Sequence, residues 1–581
     1  MRERENFEGI QSLRMSRRRF IKACTGAGIA ALGMGSITLS GCLQEKERIA
    51  SGVYIEGASG GDAETLNWIL AADATSFQYA GLTLDGLAAY DNKFNVQLRW
   101  LKKDVEVSED GLVYTVALRD DLKWSDGKKV KAGDFVYTMK NLMFADWLNY
   151  NYKGDWMEEV EGKAAFVEPE VKNESTFTIT RQTVYPEFVY TIYDLLAYPE
   201  HIVKKYEGDV EAFTRAEELN TLAYTGNLGP YKFSEWIRND RYVVVRNPDY
   251  YLGRETKAPY FEKVIIKLFG TSAARQAALE AEDITYTSLE PEQVKKFTEM
   301  TGKISVYTVP TRTYTLIEYN HRSNGWEGLR NKKVRQALSM AVSKESIIKN
   351  IRLGFGEPAF SFIPKTSPWY VDEGLLKFGT GELYSKEKAK EMLREAGFEK
   401  PEKLRIVTNS GSRVAESVAF FVKQELAEIG IESELSLVPW ETLLRKYIMN
   451  KVQNSEQEPR YNNGKDAISE EAWDLMITAH GTDPLQPSGS EVFYATDGGL
   501  NSGGYSNKAV DALFKKAKSK EALEKEARRN IYAELSKVIA EDQPVDFLYF
   551  PTANHGFQAK VKGIDPGISL GYNFHEWYFG E

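Results

Sequence analysis

Cysteine is almost missing from this 581-residue chain: there are two, Cys24 and Cys42, and both precede residue 43. The rest offers no disulfide framework and no thiolate metal site. Histidine is scarce too, with five residues, His201, His321, His480, His555 and His575, none near another in sequence. No cofactor is expected, and no metal site built from the chain's own side chains. Positive charge is in deficit, with 74 Lys/Arg against 84 Asp/Glu and a net charge of −10. That argues against nucleic acid as the main partner. No interior run approaches the ~18 apolar residues needed to cross a bilayer. What is present is an ordinary globular composition, 42% hydrophobic, 27% charged and 12% aromatic, which excludes a disordered chain. The length suits two to four domains at about 100–200 residues each. The 32 Tyr and 11 Trp are numerous enough to line a cleft or to fill large cores.

The N-terminus reads as an export signal. Ser16-Arg17-Arg18-Arg19-Phe20-Ile21-Lys22 puts paired arginines ahead of a Gly/Ala-rich apolar stretch, residues 23–39. Five glycines between Gly26 and Gly41 make that stretch too weakly hydrophobic for a permanent anchor. It resembles a twin-arginine signal, with Arg17 and Arg18 as the pair. Leu39-Ser40-Gly41-Cys42 resembles a lipobox, which implies lipidation of Cys42 and a tether over 42–51. Removing 1–41 leaves 67 basic against 81 acidic residues, a net charge of −14. Such a surface gives no attraction to anionic lipids, so membrane attachment rests on Cys42, through more than one acyl chain.

Along the body, a strand at Val53-Tyr54-Ile55 runs into a glycine-rich turn at 57–61, and residues 112–118 alternate as a half-buried strand. Trp124-Ser125-Asp126-Gly127 reads as a turn and 132–142 as one helix, with further strands at 177–180 and 242–245. A helix is expected over 334–342, and another from a Ser385 cap to Ala396 before Gly397. Strand 404–408, a helix over 414–429 closed by Gly430, and strand 431–437 form a β-α-β unit, hence an α/β lobe with mainly parallel pairing. The polar stretch 452–470 reads as an exposed insertion loop.

Several segments, in order, carry a resemblance to family-5 extracellular solute-binding proteins of ABC transporters, the oligopeptide- and dipeptide-binding group. They include Gly61-Asp62-Ala63-Glu64-Thr65-Leu66-Asn67, Asp85-Gly86-Leu87, Leu118-Arg119-Asp120-Asp121-Leu122-Lys123-Trp124-Ser125-Asp126-Gly127 and Gly229-Pro230-Tyr231. Arg246-Asn247-Pro248-Asp249-Tyr250-Tyr251, Lys333-Val334-Arg335-Gln336-Ala337-Leu338 and Gly503-Gly504-Tyr505-Ser506-Asn507 continue the series. The resemblance spans nearly all of 52–560. It implies a two-lobe, hinged periplasmic-binding-protein-like α/β fold (type II) with an extra inserted domain. Carried over, the first lobe is 52–80, 221–312 and 546–581, the extra domain 81–220, and the second lobe 313–545. It also implies a monomer that captures a small molecule, a peptide, in an interlobe cleft, catalyses nothing, and passes its ligand to ABC permease subunits.

In this family an aspartate in a loop after a second-lobe strand meets the ligand ammonium. Here Asp474-Leu475-Met476-Ile477-Thr478 precedes Ala479-His480-Gly481-Thr482-Asp483-Pro484, and Asp483 matches that aspartate. Members carry Gly-Trp where this chain has Ala479-His480, so His480 either faces the ligand, beside Gly481 and Thr482, or is a satisfied loop histidine. The bland reading of Asp483-Pro484 is a turn in which the Asp accepts backbone hydrogen bonds. The facing wall is expected from Asp73-Ala74-Thr75-Ser76, as a strand whose backbone pairs with the peptide. Tyr505, Trp440 and Tyr314 are candidate aromatic contacts, each with a core role as its alternative. Arg413 is the guess for a carboxylate partner.

Four rival functions remain. Gly57-Ala58-Ser59-Gly60-Gly61 fits the G-x-S-x-G pattern of serine hydrolases, but it follows the first strand of the mature chain, so no earlier oxyanion loop can precede it. The same fold could hold a chelated nickel, with His480 assisting, or an oligosaccharide. Sugar sites lack a buried charge partner, which makes Asp483 the discriminating residue. A non-transport surface-docking protein would need an exposed apolar patch instead.

Overall fold

The computed structural model describes residues 52–580 except 59–60 and 398–400. Arg17, Arg18, Cys42 and Ser59 lie outside the described residues. The described chain forms two compact units, one of Pro310–Thr552 and one of residues 52–309 with 553–580.

In the unit that opens the chain, β1 (Val53–Ala58) is central and its middle four residues are buried. The strand runs through Gly57 and Ala58, so the expected turn starts later. A Cβ on Gly57 would lie 2.6 Å from Ile284, which explains the glycine inside a packed strand. After it come α1 (Ala74–Ala80), β2 (Tyr231–Ile237), β3 (Arg241–Arg246), β4 (Lys263–Leu268), α2 (Ser272–Glu280) and β5 (Tyr286–Leu289). The strand order is β2-β3-β4-β1-β5, with β1 parallel to both β4 and β5 and β3 antiparallel to its neighbours. The end of a long strand, Val545–Gln558, adds antiparallel to β5. Residues 81–220 carry a separate four-stranded antiparallel sheet: Glu106–Val107, Val113–Ala117, Thr176–Thr180 and Glu168–Asn173, in that order. The helix expected over 132–142 holds α geometry only to Tyr137 and continues as a wider turn over Thr138–Met143. There the Thr138 hydroxyl donates to the Asp134 carbonyl at 2.7 Å, competing with the helix ladder.

The unit Pro310–Thr552 carries the β-α-β pattern. Its elements are β6 (Thr313–Tyr319), α3 (Lys332–Ala341), α4 (Lys386–Glu395), β7 (Leu404–Asn409), α5 (Arg413–Glu428), β8 (Ser433–Val438), β9 (Leu475–Gly481), α6 (Lys525–Asp542) and the first part of β10 (Val545–Gln558). Its strands run in the order β10-β6-β9-β7-β8. β9, β7 and β8 are mutually parallel neighbours, and β6 is antiparallel to both β9 and β10. Ser412 caps α5 through the Ala415 N–H at 3.3 Å, and Val418, Ala419, Val422 and Leu426 form its buried stripe. Ser385 caps α4 in the same way, and Gly397 and Gly430 follow α4 and α5 at φ +66° and +76°. The polar stretch after β8 is exposed over 453–460, but its base is closed by a short antiparallel ladder, Asn450–Val452 with Ala467–Ser469. Arg322 holds that base by donating to the carbonyls of Gly464 and Ala467 at 2.7 and 2.9 Å.

The abundant aromatics go largely to cores. Trp68, Trp100, Trp124 and Trp473 are fully buried, as are thirteen of the described tyrosines. Among the described residues no helix is long and apolar enough to cross a membrane.

Candidate ligand site

Three parallel strands end at the same edge of the Pro310–Thr552 sheet. In register, Thr408 stands beside Leu437 on one side and Ile477 on the other. The segments that leave this edge are Ser410-Gly411-Ser412 into α5, Pro439-Trp440 after β8, and Thr482-Asp483 after β9. The carboxyl ends of parallel strands are where open α/β sheets bind ligands.

The Thr482-Asp483 loop is held on all sides. The Thr482 N–H donates to the Arg312 carbonyl at 3.1 Å, and its hydroxyl meets that of Ser490 at 2.8 Å. Ser367 donates to the Pro484 carbonyl at 2.5 Å and Trp369 Nε1 to the Leu485 carbonyl at 3.3 Å. The Ser488 N–H donates to the Tyr532 hydroxyl at 3.1 Å. Asp483 is 3% exposed. Its Oδ1 accepts from the Leu485 N–H at 2.8 Å, the local turn bond of the bland reading. The loop therefore holds a buried carboxylate rigidly, with one oxygen engaged by its own turn. That preorganisation is what a charged recognition group needs.

Next to it, Gly481 ends β9 opposite Thr313, and His480 stands opposite Tyr314. The His480 ring stacks on Phe493, with centroids 4.1 Å apart and planes 15° apart. Its Nε2 lies 4.0 Å from Glu318 Oε2. Burial pulls the imidazole down to about 3, so it is neutral near pH 7. Glu318 is buried as well, and burial pushes its carboxyl upward although the Gly503 N–H and the Ser502 hydroxyl donate to Oε1.

The candidate aromatics differ in kind. Tyr314 is fully buried, its hydroxyl 2.8 Å from that of Tyr494 and its ring packed against Phe547 and Phe550. Tyr505 donates to Asp542 Oδ2 at 2.6 Å, and its backbone N–H and C=O are both bonded to the Asn501 side chain. Both are satisfied members of the core. Gly503 is required beside Tyr505, since a Cβ there would lie 2.5 Å from the Tyr319 carbonyl oxygen. Trp440 is 52% exposed at the strand-end edge, and Arg413 is exposed at the start of α5.

The expected strand at Ala74, Thr75 and Ser76 is corrected: these residues form the first turn of α1, with Asp73 as its N-cap. Asp73 Oδ1 accepts from the Ser76 N–H at 2.8 Å, and Oδ2 accepts from the Ser76 hydroxyl. Ser76 Oγ in turn accepts from the Glu64 and Thr65 N–H groups at 3.0 and 3.1 Å. A helix commits its backbone groups internally and has no ladder edge to offer a peptide. The signal was readable, since Asp at the cap with buried Phe77 and Ala80 following is helical spacing. Sequence reasoning also missed Trp369, Phe493 and Tyr532, which hold the site from distant segments and leave no local pattern. Among the described residues no group of three or more His, Cys, Asp or Glu side chains is placed to hold a metal ion.

Residues 96–502 match the family model described as bacterial extracellular solute-binding proteins, family 5, middle. The oligopeptide-binding protein AppA of Bacillus subtilis is 28% identical over 544 residues, covering 90% of each chain. The crystal structure of the ABC transporter substrate-binding protein CtaP from Listeria monocytogenes superposes with a TM-score of 0.75 at 25% identity, over 91% of this chain and all of that one. NikZ from Campylobacter jejuni, solved in complex with Ni(L-His), shares the fold at a TM-score of 0.67 and 22% identity, over 91% of this chain and 99% of its own. These relatives are named as binding proteins rather than enzymes.

Proposed function

This chain belongs to the family-5 bacterial extracellular solute-binding proteins, and on that premise we propose that it is the peptide-capturing receptor of an ABC importer. It is a binding protein and makes or breaks no bond. A free-amine peptide presents its ammonium to the Asp483 carboxylate, Trp440 flanks the same edge, and the loaded receptor delivers the peptide to its permease. Export through the Arg17-Arg18 signal and lipid at Cys42 hold it at the outer face of the cytoplasmic membrane.

The observation that carries the ligand reading is Asp483, a carboxylate 3% exposed, two residues beyond the end of a parallel strand on a loop fixed by Ser490 and by the distant side chains of Ser367, Trp369 and Tyr532. A carboxylate held this rigidly and this far from solvent attracts a cationic group strongly, and a ligand ammonium is such a group. The similarity to an oligopeptide-binding protein over 90% of the chain supports the same ligand class. The fold is shared with a nickel–histidine binder, so the test must separate the two.

Calorimetric titration with a pool of free-amine tri- to nonapeptides, with a neutral oligosaccharide pool and with nickel–histidine does so. Asp483→Ala is expected to weaken peptide binding by about 30-fold or more, the effect of removing a buried charge partner. Equal peptide affinity in the variant, or wild-type protein that takes only the sugar or the nickel chelate, would overturn the assignment.

A further inference from the structure

The ammonium of a zwitterionic solute has a partner in the reading above, but its carboxylate has none, and the structure offers a cation for it. Helix α6 is joined to β10 by Gln543 and Pro544, and Val545 lies level with Met476 because both stand beside Glu318 of β6. From Met476 to Gly481, β9 climbs about 17 Å, and the Asp483 loop continues two residues beyond it. From Asp542 back to Arg528, α6 climbs about 21 Å. Arg528 thus stands at the level of the Asp483 loop. Side chains confirm the placement: Tyr532, one turn along the same helix face, accepts from the Ser488 N–H, and Trp369 packs against Tyr532 at 6.0 Å while donating to the Leu485 carbonyl.

The Arg528 guanidinium lies over the Trp369 ring, 4.3 Å from its centroid. Its Nε and Nη1 are buried and make no hydrogen bond among the described residues. Stacking uses the face of a guanidinium and leaves its in-plane N–H donors unmet. Glu524, one turn earlier on the same helix, spends its Oε2 as the cap of α6, accepting from the Ala527 N–H at 2.7 Å. A permanently charged fork fixed on an aromatic platform, with buried donors unspent, is built for a planar anion.

We propose that Arg528, stacked on Trp369, binds the carboxylate of the solute, so that Asp483 and Arg528 read its two charged ends. This rests on the peptide reading above and replaces Arg413 in the role guessed for it from sequence.

The test compares free-acid with C-amidated tri- to nonapeptide pools, competed against each other on the purified mature protein and read by native mass spectrometry. Wild type is expected to prefer the acid pool by about tenfold or more. Arg528→Gln should abolish that preference while leaving affinity for the amide pool unchanged, and Arg528→Lys should keep part of it. A preference that survives in Arg528→Gln, or a loss of acid and amide binding alike, would overturn the inference and leave Arg528 as a structural or solvated surface arginine. If wild type binds neither pool, the peptide reading itself fails. If it binds both equally, only this inference does.

Discussion

A carboxylate buried without hydrogen bonds reveals its environment through pH, and Glu56 is such a group. It sits fully buried on β1, between Ile266 and Tyr286 in register, and neither of its carboxylate oxygens is hydrogen-bonded among the described residues. Burial raises its carboxyl well above the ordinary value, with Arg275 pulling weakly the other way. The folded chain therefore holds a proton that the unfolded chain releases near pH 4.3. Between that value and the raised one the native state binds more protons, so this group's contribution to stability falls as pH rises. Glu56→Gln is expected to remove that slope, up to about 1.4 kcal/mol per pH unit within the window. Urea midpoints of both proteins from pH 4.5 to 7 check it; parallel curves would contradict it.

Local grammar was enough for some elements and not for others. The unit β7-α5-β8 was readable because each boundary carries its own signal: Ser412 at the cap, a buried stripe at helical spacing, and Gly430 at the stop. The start of α1 was misread because an expected function was laid over an Asp-capped turn. The wider turn after Tyr137 depends on one hydroxyl, Thr138, whose choice of acceptor no periodicity announces. The candidate site was half readable: the Asp483 loop follows a recognisable strand, but Trp369 and Tyr532 reach it from more than 40 residues away on either side. At this scale Gly229 explains why Gly229-Pro230-Tyr231 opens β2 as it does. A Cβ there would fall 2.2 Å from the Thr83 carbonyl oxygen, backbone that cannot move aside cheaply. Gly229→Ala is expected to cost more than about 2 kcal/mol in chemical denaturation. An unchanged midpoint would mean that this contact yields freely.

For the whole molecule, the chain passes between its two units at 309/310 and again at 552/553, the second time inside β10. These crossings follow from which segments pack together; composition marks neither. The proposed location can be tested at the same scale. On the proposed export and lipidation, the mature charge of −14 would leave membrane attachment to lipid at Cys42. Cys42→Ser is expected to move the exported protein from the membrane to the soluble fraction, and replacing Arg17 and Arg18 by Lys to hold it in the cytoplasm. Membrane retention of Cys42→Ser after a salt wash would contradict the lipid anchor. The claim on which the account turns is that the guest is a peptide carrying a free amino group. Native mass spectrometry of the mature protein, purified from its own host without denaturation, tests it most directly. The account predicts bound masses that fragment as peptides and shift by one acetyl group after release and N-acetylation. A bound sugar or nickel chelate, or protein that comes empty and takes up no added peptide, would contradict it.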